Sequence, residues 1–145
     1  MFQKEITIKQ SVDKVWEALT HPDKMKKWYF NISNFEAKEG EIFDFIVSIT
    51  DEEGVHDFRH LFKILEVIPN KKLKHSWEYP GHSPGISTLT WEVIPEGEST
   101  RVILTHEGLE NISDEDSRYF SKASFISGWK DILKGMKEKL EKEKW

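Results

Sequence analysis

Two histidines stand where a side chain can act on something enclosed. His106 follows Val102 and Leu104 at steps of two, and His75 lies between Leu73 and Trp77 in the same alternation. Residues two apart on a strand share a face, so both imidazoles point inward with apolar neighbours. An inward histidine has two readings. It is a buried ring satisfied by nearby polar groups, or it is a polar anchor for a ligand and a proton carrier near neutral pH. Trp77, Tyr79, Trp91 and Trp129, with Phe125 and Leu133, divide the same way: core, or the wall of a cavity for a flat apolar molecule.

Other chemistries find less support. The chain has no Cys, which removes disulfides, thiolate metal sites and a Cys nucleophile. His56 and His60 are four apart, a spacing that spreads them over ~13 Å on a strand, and the helical His-Glu-x-x-His signature is absent. Asp51-Glu52-Glu53-Gly54 lacks the alternating ligands of a calcium loop and reads as a solvated turn. There is neither a Gly-rich phosphate loop nor a nucleophile elbow, so no metal and no cofactor is expected. Asp44 and Arg59 read as inward polar residues available for acid–base work. Gly128, beside Trp129, either lets a helix approach a sheet closely or is simply tolerated.

These side chains need elements to hold them. Phe2 to Lys9 alternates as a strand, with Phe2, Lys4, Ile6 and Ile8 on one side. Ser11 is placed to cap a helix whose stripe is Val12, Val15, Trp16 and Leu19. Pro22 suits the first turn of a second short helix carrying Met25, Trp28 and Tyr29. Five strand-like runs follow, over Glu41 to Thr50, Asp57 to Ile68, Lys72 to Tyr79, Ile86 to Ile94 and Thr100 to Glu107. Turn residues such as Pro69-Asn70, Pro80-Gly81 and Pro95-Glu96-Gly97 separate them, as in an antiparallel meander. Ser113-Asp114-Glu115-Asp116 starts a helix that breaks or restarts near Ser121. Phe125, Trp129, Ile132, Met136 and Leu140, flanked by Leu133, form its apolar stripe, with Glu138 four residues before Lys142 on the charged face. About 24 residues make a rod of roughly 36 Å, long enough to cross a sheet.

The fold class is therefore α+β: one domain over 1–145, a curved antiparallel sheet around a long C-terminal helix, with two short helices after the first strand. A sheet with one buried face needs a partner, and this helix is the large apolar one. A concave sheet meets a helix over part of its length only, which leaves a pocket.

Composition agrees. Six Trp and nine Phe among 145 residues exceed what a disordered chain carries. The net charge of -5, with Lys and Arg interspersed among Asp and Glu, predicts no nucleic-acid partner. No stretch approaches the ~18 apolar residues of a membrane span. Met1-Phe2-Gln3-Lys4-Glu5 lacks the apolar run of a signal peptide, so a cytoplasmic location is expected and the sequons at Asn31 and Asn111 carry no weight.

Four segments in order resemble a known family. They are Val15-Trp16-Glu17-Ala18-Leu19-Thr20 with Pro22 and Trp28; Glu66-Val67-Ile68-Pro69 leading to Leu73 and Trp77; Gly97 to Gly108 around Thr100-Arg101-Val102-Ile103-Leu104-Thr105-His106-Glu107; and Gly128-Trp129. Together they are similar to the activator of heat-shock protein 90 ATPase homologue-like family, within the START-like, birch-pollen-allergen-like (SRPBCC) superfamily. That resemblance covers nearly the whole chain and implies the helix-grip fold. His75 departs from it, at a position where relatives more often carry an apolar residue. Relatives include lipid and hormone carriers, polyketide cyclases and dehydratases. The family is named for a co-chaperone with a second, chaperone-binding domain. This chain's length leaves no room for that domain, so a chaperone contact is possible but unsupported.

The expected function is a small-molecule-binding domain, a monomer or weak dimer, holding an apolar or aromatic ligand between sheet and helix. His75, Trp77, Tyr79, Trp91, His106, Phe125, Trp129 and Leu133 are the expected walls. Two other classes stay open. One is a cyclase, dehydratase or hydrolase using His106 or an inward acid; the other is a co-chaperone-like protein-interaction module using the outer face of the helix.

Overall fold

The computed structural model describes residues 2–29, 32, 35–81, 85–112 and 121–142. The chain runs β1 (Phe2–Ile8), α1 (Val12–Thr20), α2 (Pro22–Trp28), β2 (Ile42–Asp51), β3 (Gly54–Ile68), β4 (Lys72–Glu78), β5 (Ile86–Glu96), β6 (Ser99–Glu107), a short 3-10 turn (Leu109–Asn111) and α3 (Lys122–Lys142). The proposed helix start at Ser113-Asp114-Glu115-Asp116 lies outside the described residues. Ser121, where a restart was expected, accepts the Ser124 backbone N–H at 3.2 Å and caps α3.

All six strands form one antiparallel sheet in the order β1-β6-β5-β4-β3-β2. The meander of β2 to β6 follows from its turns, and β1 closes onto β6. The two helices α1 and α2 connect the strands at opposite edges. The sheet curls into a half-barrel, and a bulge in β3 between Ile64 and Glu66 contributes to the bend. Backbone groups at the bulge find partners in the approach to β2, where Gly40 N–H donates to the Ile64 carbonyl and Ile64 N–H to that of Glu41.

Alternation decides what lies inside. Phe43 and Phe45, then Phe58, His60, Phe62 and Ile64, are buried on the concave face, joined by Leu73, His75, Trp77, Leu89, Trp91, Val93, Val102, Leu104 and His106. The residues between them face out. Asp44 and Arg59 are therefore not inward: they form an exposed ion pair of 3.0 Å on the convex face, because Phe43, Phe45, Phe58 and His60 take the inner positions on either side.

Helix α3 lies across the concavity. Its buried residues are Phe125, Trp129, Leu133, Met136 and Leu140. Leu133 thus takes the central place expected of Ile132, which is half-buried one step around the helix. The ion pair along α3 joins Lys137 to Glu141 at 3.6 Å rather than Glu138 to Lys142. The C-terminal turns are pinned to the end of β1. Gln10 Nε2 donates to the Leu140 carbonyl at 2.6 Å, Lys9 N–H to Glu141 at 2.9 Å, and Lys137 Nζ to the Thr7 carbonyl at 2.7 Å.

At the start of α1 the expected cap is only half made. Ser11 occupies the N-cap position with extended backbone, φ -67° and ψ 155°, but its side chain makes no capping hydrogen bond. The Ser11 carbonyl still accepts the Val15 N–H at 3.1 Å.

Gly85, just before β5, has a different significance. A Cβ there would lie 1.8 Å from the Asn111 carbonyl oxygen and 2.4 Å from its carbon, so the 3-10 turn packs directly on the Gly85 backbone. Gly85→Ala is expected to destabilise the fold by roughly 1–3 kcal/mol through overpacking. Urea denaturation checks this, and an unchanged midpoint would show that the turn does not seat there.

Candidate functional site

Cross-strand register brings the inward polar residues together. Leu89 of β5 lies between His75 of β4 and His106 of β6, and Trp77 is opposite Ser87. His75 and His106 are therefore two strand spacings apart, roughly 10 Å. Among the described residues they line no common cavity.

His106 lies at the centre of a buried chain of hydrogen bonds. Trp129 Nε1–H, from α3, donates to His106 Nδ1 at 3.0 Å. The other ring nitrogen, Nε2, is 2.7 Å from Ser87 Oγ, and Ser87 Oγ donates to the Trp77 carbonyl at 3.1 Å. An indole N–H only donates, so Nδ1 is the acceptor and Nε2 carries the hydrogen. Every group is thereby paired. His106 is held neutral: burial, then the nearby His75, push its pKa down to about 4.

His75 is neutral for the same main reason. Burial takes its pKa to about 4, against the opposing effect of a 2.8 Å bond from Nδ1 to the Ser76 carbonyl. With Trp91, Tyr29, Phe62 and residues of α1 and α2 it borders a void of about 10 Å³, room for at most one water. Trp91 meets Trp28 and Tyr29 edge-on at 5.9 and 6.1 Å, and these rings stack on each other at 4.9 Å. Among the described residues this side of α3 leaves only that small void.

The open space lies on the other side. A cleft of about 150 Å³, partly open to solvent, runs between α3 and strands β3 and β4. Its walls are His60, Trp77, Tyr79, Ser124, Phe125, Gly128, Trp129 and Ile132. Four of the expected wall residues, Trp77, Tyr79, Phe125 and Trp129, meet here. His75 and Trp91 face the side of the small void, His106 lies behind Trp129, and Leu133 packs in the core.

Sequence reasoning overlooked His60, Ser124, Ile132 and Ser87 as contributors. His60 was weighed only against His56 as a metal pair, and no metal-binding cluster occurs among the described residues. The signal was present in Phe58-x-His60-x-Phe62, which puts His60 on the inner face. Its ring stacks on Phe45 at 4.7 Å and meets Tyr79 at 4.7 Å and Trp77 at 5.4 Å edge-on. Trp77 and Trp129 meet at 5.3 Å, and Trp77 Nε1–H donates to Tyr79 Oη at 2.9 Å. Burial raises the Tyr79 phenol well above its ordinary pKa.

The profile of the family described as Activator of Hsp90 ATPase homolog 1-like protein matches residues 9–141. The chain belongs to this family. No curated protein is significantly similar to it. Among solved structures, the Aha1 dimer from Colwellia psychrerythraea is similar at 26% identity with a TM-score of 0.69, over 99% of this chain and 98% of that one. DynU16, a protein in the dynemicin biosynthetic locus, gives a TM-score of 0.73 at 20% identity over 97% of this chain. The match spans 46% of DynU16, less than half its length. CalU16 from Micromonospora echinospora gives 0.67 at 21% identity, over 92% of this chain and 71% of that one. These neighbours share the helix-grip architecture of the START-like superfamily. Among the described residues no helix is long and apolar enough to cross a membrane.

The buried imidazoles make stability depend on pH. Each folded-state pKa, about 4, lies below the ordinary 6.5, so the unfolded chain binds more protons between those values. Stability is then complete above about pH 6.5 and falls as pH drops toward 4, by up to roughly 1.4 kcal/mol per pH unit for each ring. Urea denaturation at pH 7 and pH 5 should show this loss. Ser87→Ala should cost about 1–3 kcal/mol at pH 7 by orphaning the His106 N–H and the Trp77 carbonyl, and a neutral result would break the proposed chain.

Proposed function

We propose that this family member is a small-molecule-binding START-like domain that holds an apolar or aromatic molecule in the cleft between α3 and the sheet. The observation that carries the reading is Gly128. A glycine inside a helix costs about 0.5–1 kcal/mol relative to alanine. A Cβ at Gly128 would meet nothing within 4 Å, so tight packing is not what requires it. Its absent side chain leaves the cleft open beside Phe125 and Trp129. The walls are aromatic and mutually braced, as befits a site for flat apolar surface. A small-molecule ligand is also in keeping with the biosynthetic locus to which DynU16 belongs.

Catalysis by His106 is the weaker reading. Its Nδ1 lone pair receives Trp129 and its Nε2 hydrogen meets Ser87, so taking a proton from a substrate would mean dismantling the link between helix and sheet. The carboxylate offered for acid–base work, Asp44, is on the convex face.

Gly128→Leu separates stability from binding. The substitution should raise stability by roughly 0.5–1 kcal/mol through helix propensity while its side chain fills the cleft. Titration of flavonoids, steroid-like compounds and fatty acids, followed by Trp fluorescence, should show affinities on the order of micromolar for the natural chain. Gly128→Leu should weaken them at least tenfold. Equal binding by both proteins would remove the cleft as the site.

A further inference from the structure

The sheet has two edges, and they are finished differently. At β1, α3 already lies against the backbone: Lys137 Nζ donates to the Thr7 carbonyl, and Glu141 accepts the Lys9 N–H just past the strand. On the far side, β2 is the last strand among the described residues. Native edges are commonly blunted by Lys, Pro or a bulge. β2 has none of the three. Its sequence, Ile-Phe-Asp-Phe-Ile-Val-Ser-Ile-Thr-Asp, keeps an unbroken register with β3. Ile42 and Ile46 stand 59% and 65% exposed on its outer face.

The backbone groups that line this edge follow from the hairpin. Asp51 and Gly54 are partners across a two-residue turn, which closes on a hydrogen-bonded pair. Bonding alternates from there, so Ile42, Asp44, Ile46, Ser48 and Thr50 point their N–H and C=O groups away from β3. Lys63 agrees: opposite Ile42, it turns its N–H away from β2 and donates to Ser76 Oγ. A second copy of β2 fits this edge by symmetry. With Ile46 on a two-fold axis, Ile46 lies opposite the partner's Ile46, Asp44 opposite the partner's Ser48, and Ile42 opposite the partner's Thr50. On the inner face Phe45 lies opposite the partner's Val47, and Phe43 opposite the partner's Ile49. Between residues 42 and 50 Asp44 is the one charged side chain, so no like charges oppose each other, and its ion pair with Arg59 stays intact. Because α3 occupies the β1 edge, the contact is isologous and closes at two copies.

We infer that β2 is a self-association edge, at which two copies join their sheets antiparallel about Ile46. One strand from each copy buries less than a standard interface, so the dimer is weak, with a dissociation constant on the order of 100 μM. Sedimentation equilibrium of the full chain should show dimer growing between micromolar and millimolar concentration. Ile46→Lys and Ile46→Glu, both at an exposed position, should each stay monomeric, since like charges would face each other across the axis. Mixing the two should recover the dimer. The chain has no Cys, so Ile46→Cys is a second probe. Hydrogen-bonded antiparallel partners have Cα atoms ~5.5 Å apart, within disulfide reach, so it should cross-link roughly tenfold faster than Val55→Cys under mild oxidation. Val55 is equally exposed, at 66%, but sits one strand in. A natural chain that stays monomeric at millimolar concentration overturns the second copy as occupant. A dimer that survives Ile46→Lys overturns β2 as the interface. A mixture that stays monomeric, or equal cross-linking of Ile46→Cys and Val55→Cys, overturns the register about Ile46.

Discussion

Between helix and sheet, Trp129 hands its indole hydrogen to His106, His106 hands its own to Ser87, and Ser87 to the Trp77 carbonyl. An apolar stripe alone positions a helix loosely, since Leu133, Met136 and Leu140 would find comparable contacts after a small slide. The buried bonds tolerate no slide. Rotating α3 by one residue carries the indole away and leaves the Trp129 N–H and the His106 Nδ1 lone pair without partners, each at a cost above the gain of making the bond. The bridge therefore sets both the register and the rotation of α3.

The cleft is a consequence of that setting. Toward its C-terminus α3 is drawn onto the end of β1 by the contacts of Gln10, Lys9 and Lys137. Toward its N-terminus it borders the cleft beside His60, Trp77 and Tyr79, with the bond from Trp129 to His106 tying it to the sheet. Phe125 and Trp129 reach down from this end, and Gly128 between them reaches nowhere. Collapse is resisted because the rings on the sheet side are braced: His60 against Phe45 and Tyr79, Trp77 against Trp129, with the Trp77 indole tied to Tyr79. Flat side chains in edge-on contact have few alternative rotamers, so the space persists.

Much of this was legible in the sequence because periodicity is a local property. Alternation along Leu73, His75, Trp77 and Tyr79, and the three-and-four spacing from Phe125 to Leu140, assign elements and inner faces without reference to the rest of the chain. Asp44 and Arg59 were misplaced where that rule was not followed through, since the phenylalanines beside each already occupied the inner face. Which inward residues meet which depends on register between strands distant in sequence, and no local pattern contains it. Ser87 looks like any strand serine until the pairing sets it opposite Trp77 and next to His106. His75 and His106 looked alike for the same reason, although α1 and α2 cover one and α3 crosses the other.

Three histidines on one concave face thus sit in three settings, set by partners rather than by residue type. His106 spends both nitrogens on the bridge. His75 gives Nδ1 to the Ser76 carbonyl and borders a void with room for no more than a water. His60 gives Nδ1 to the Phe58 carbonyl and borders the open cleft. Burial acts on His75 and His106 alike by removing the charged form, so the feature that distinguishes the three rings is the space that adjoins each. In this fold that space is decided by the side of α3 on which a strand residue falls, and hence by the bond that fixes α3 in place.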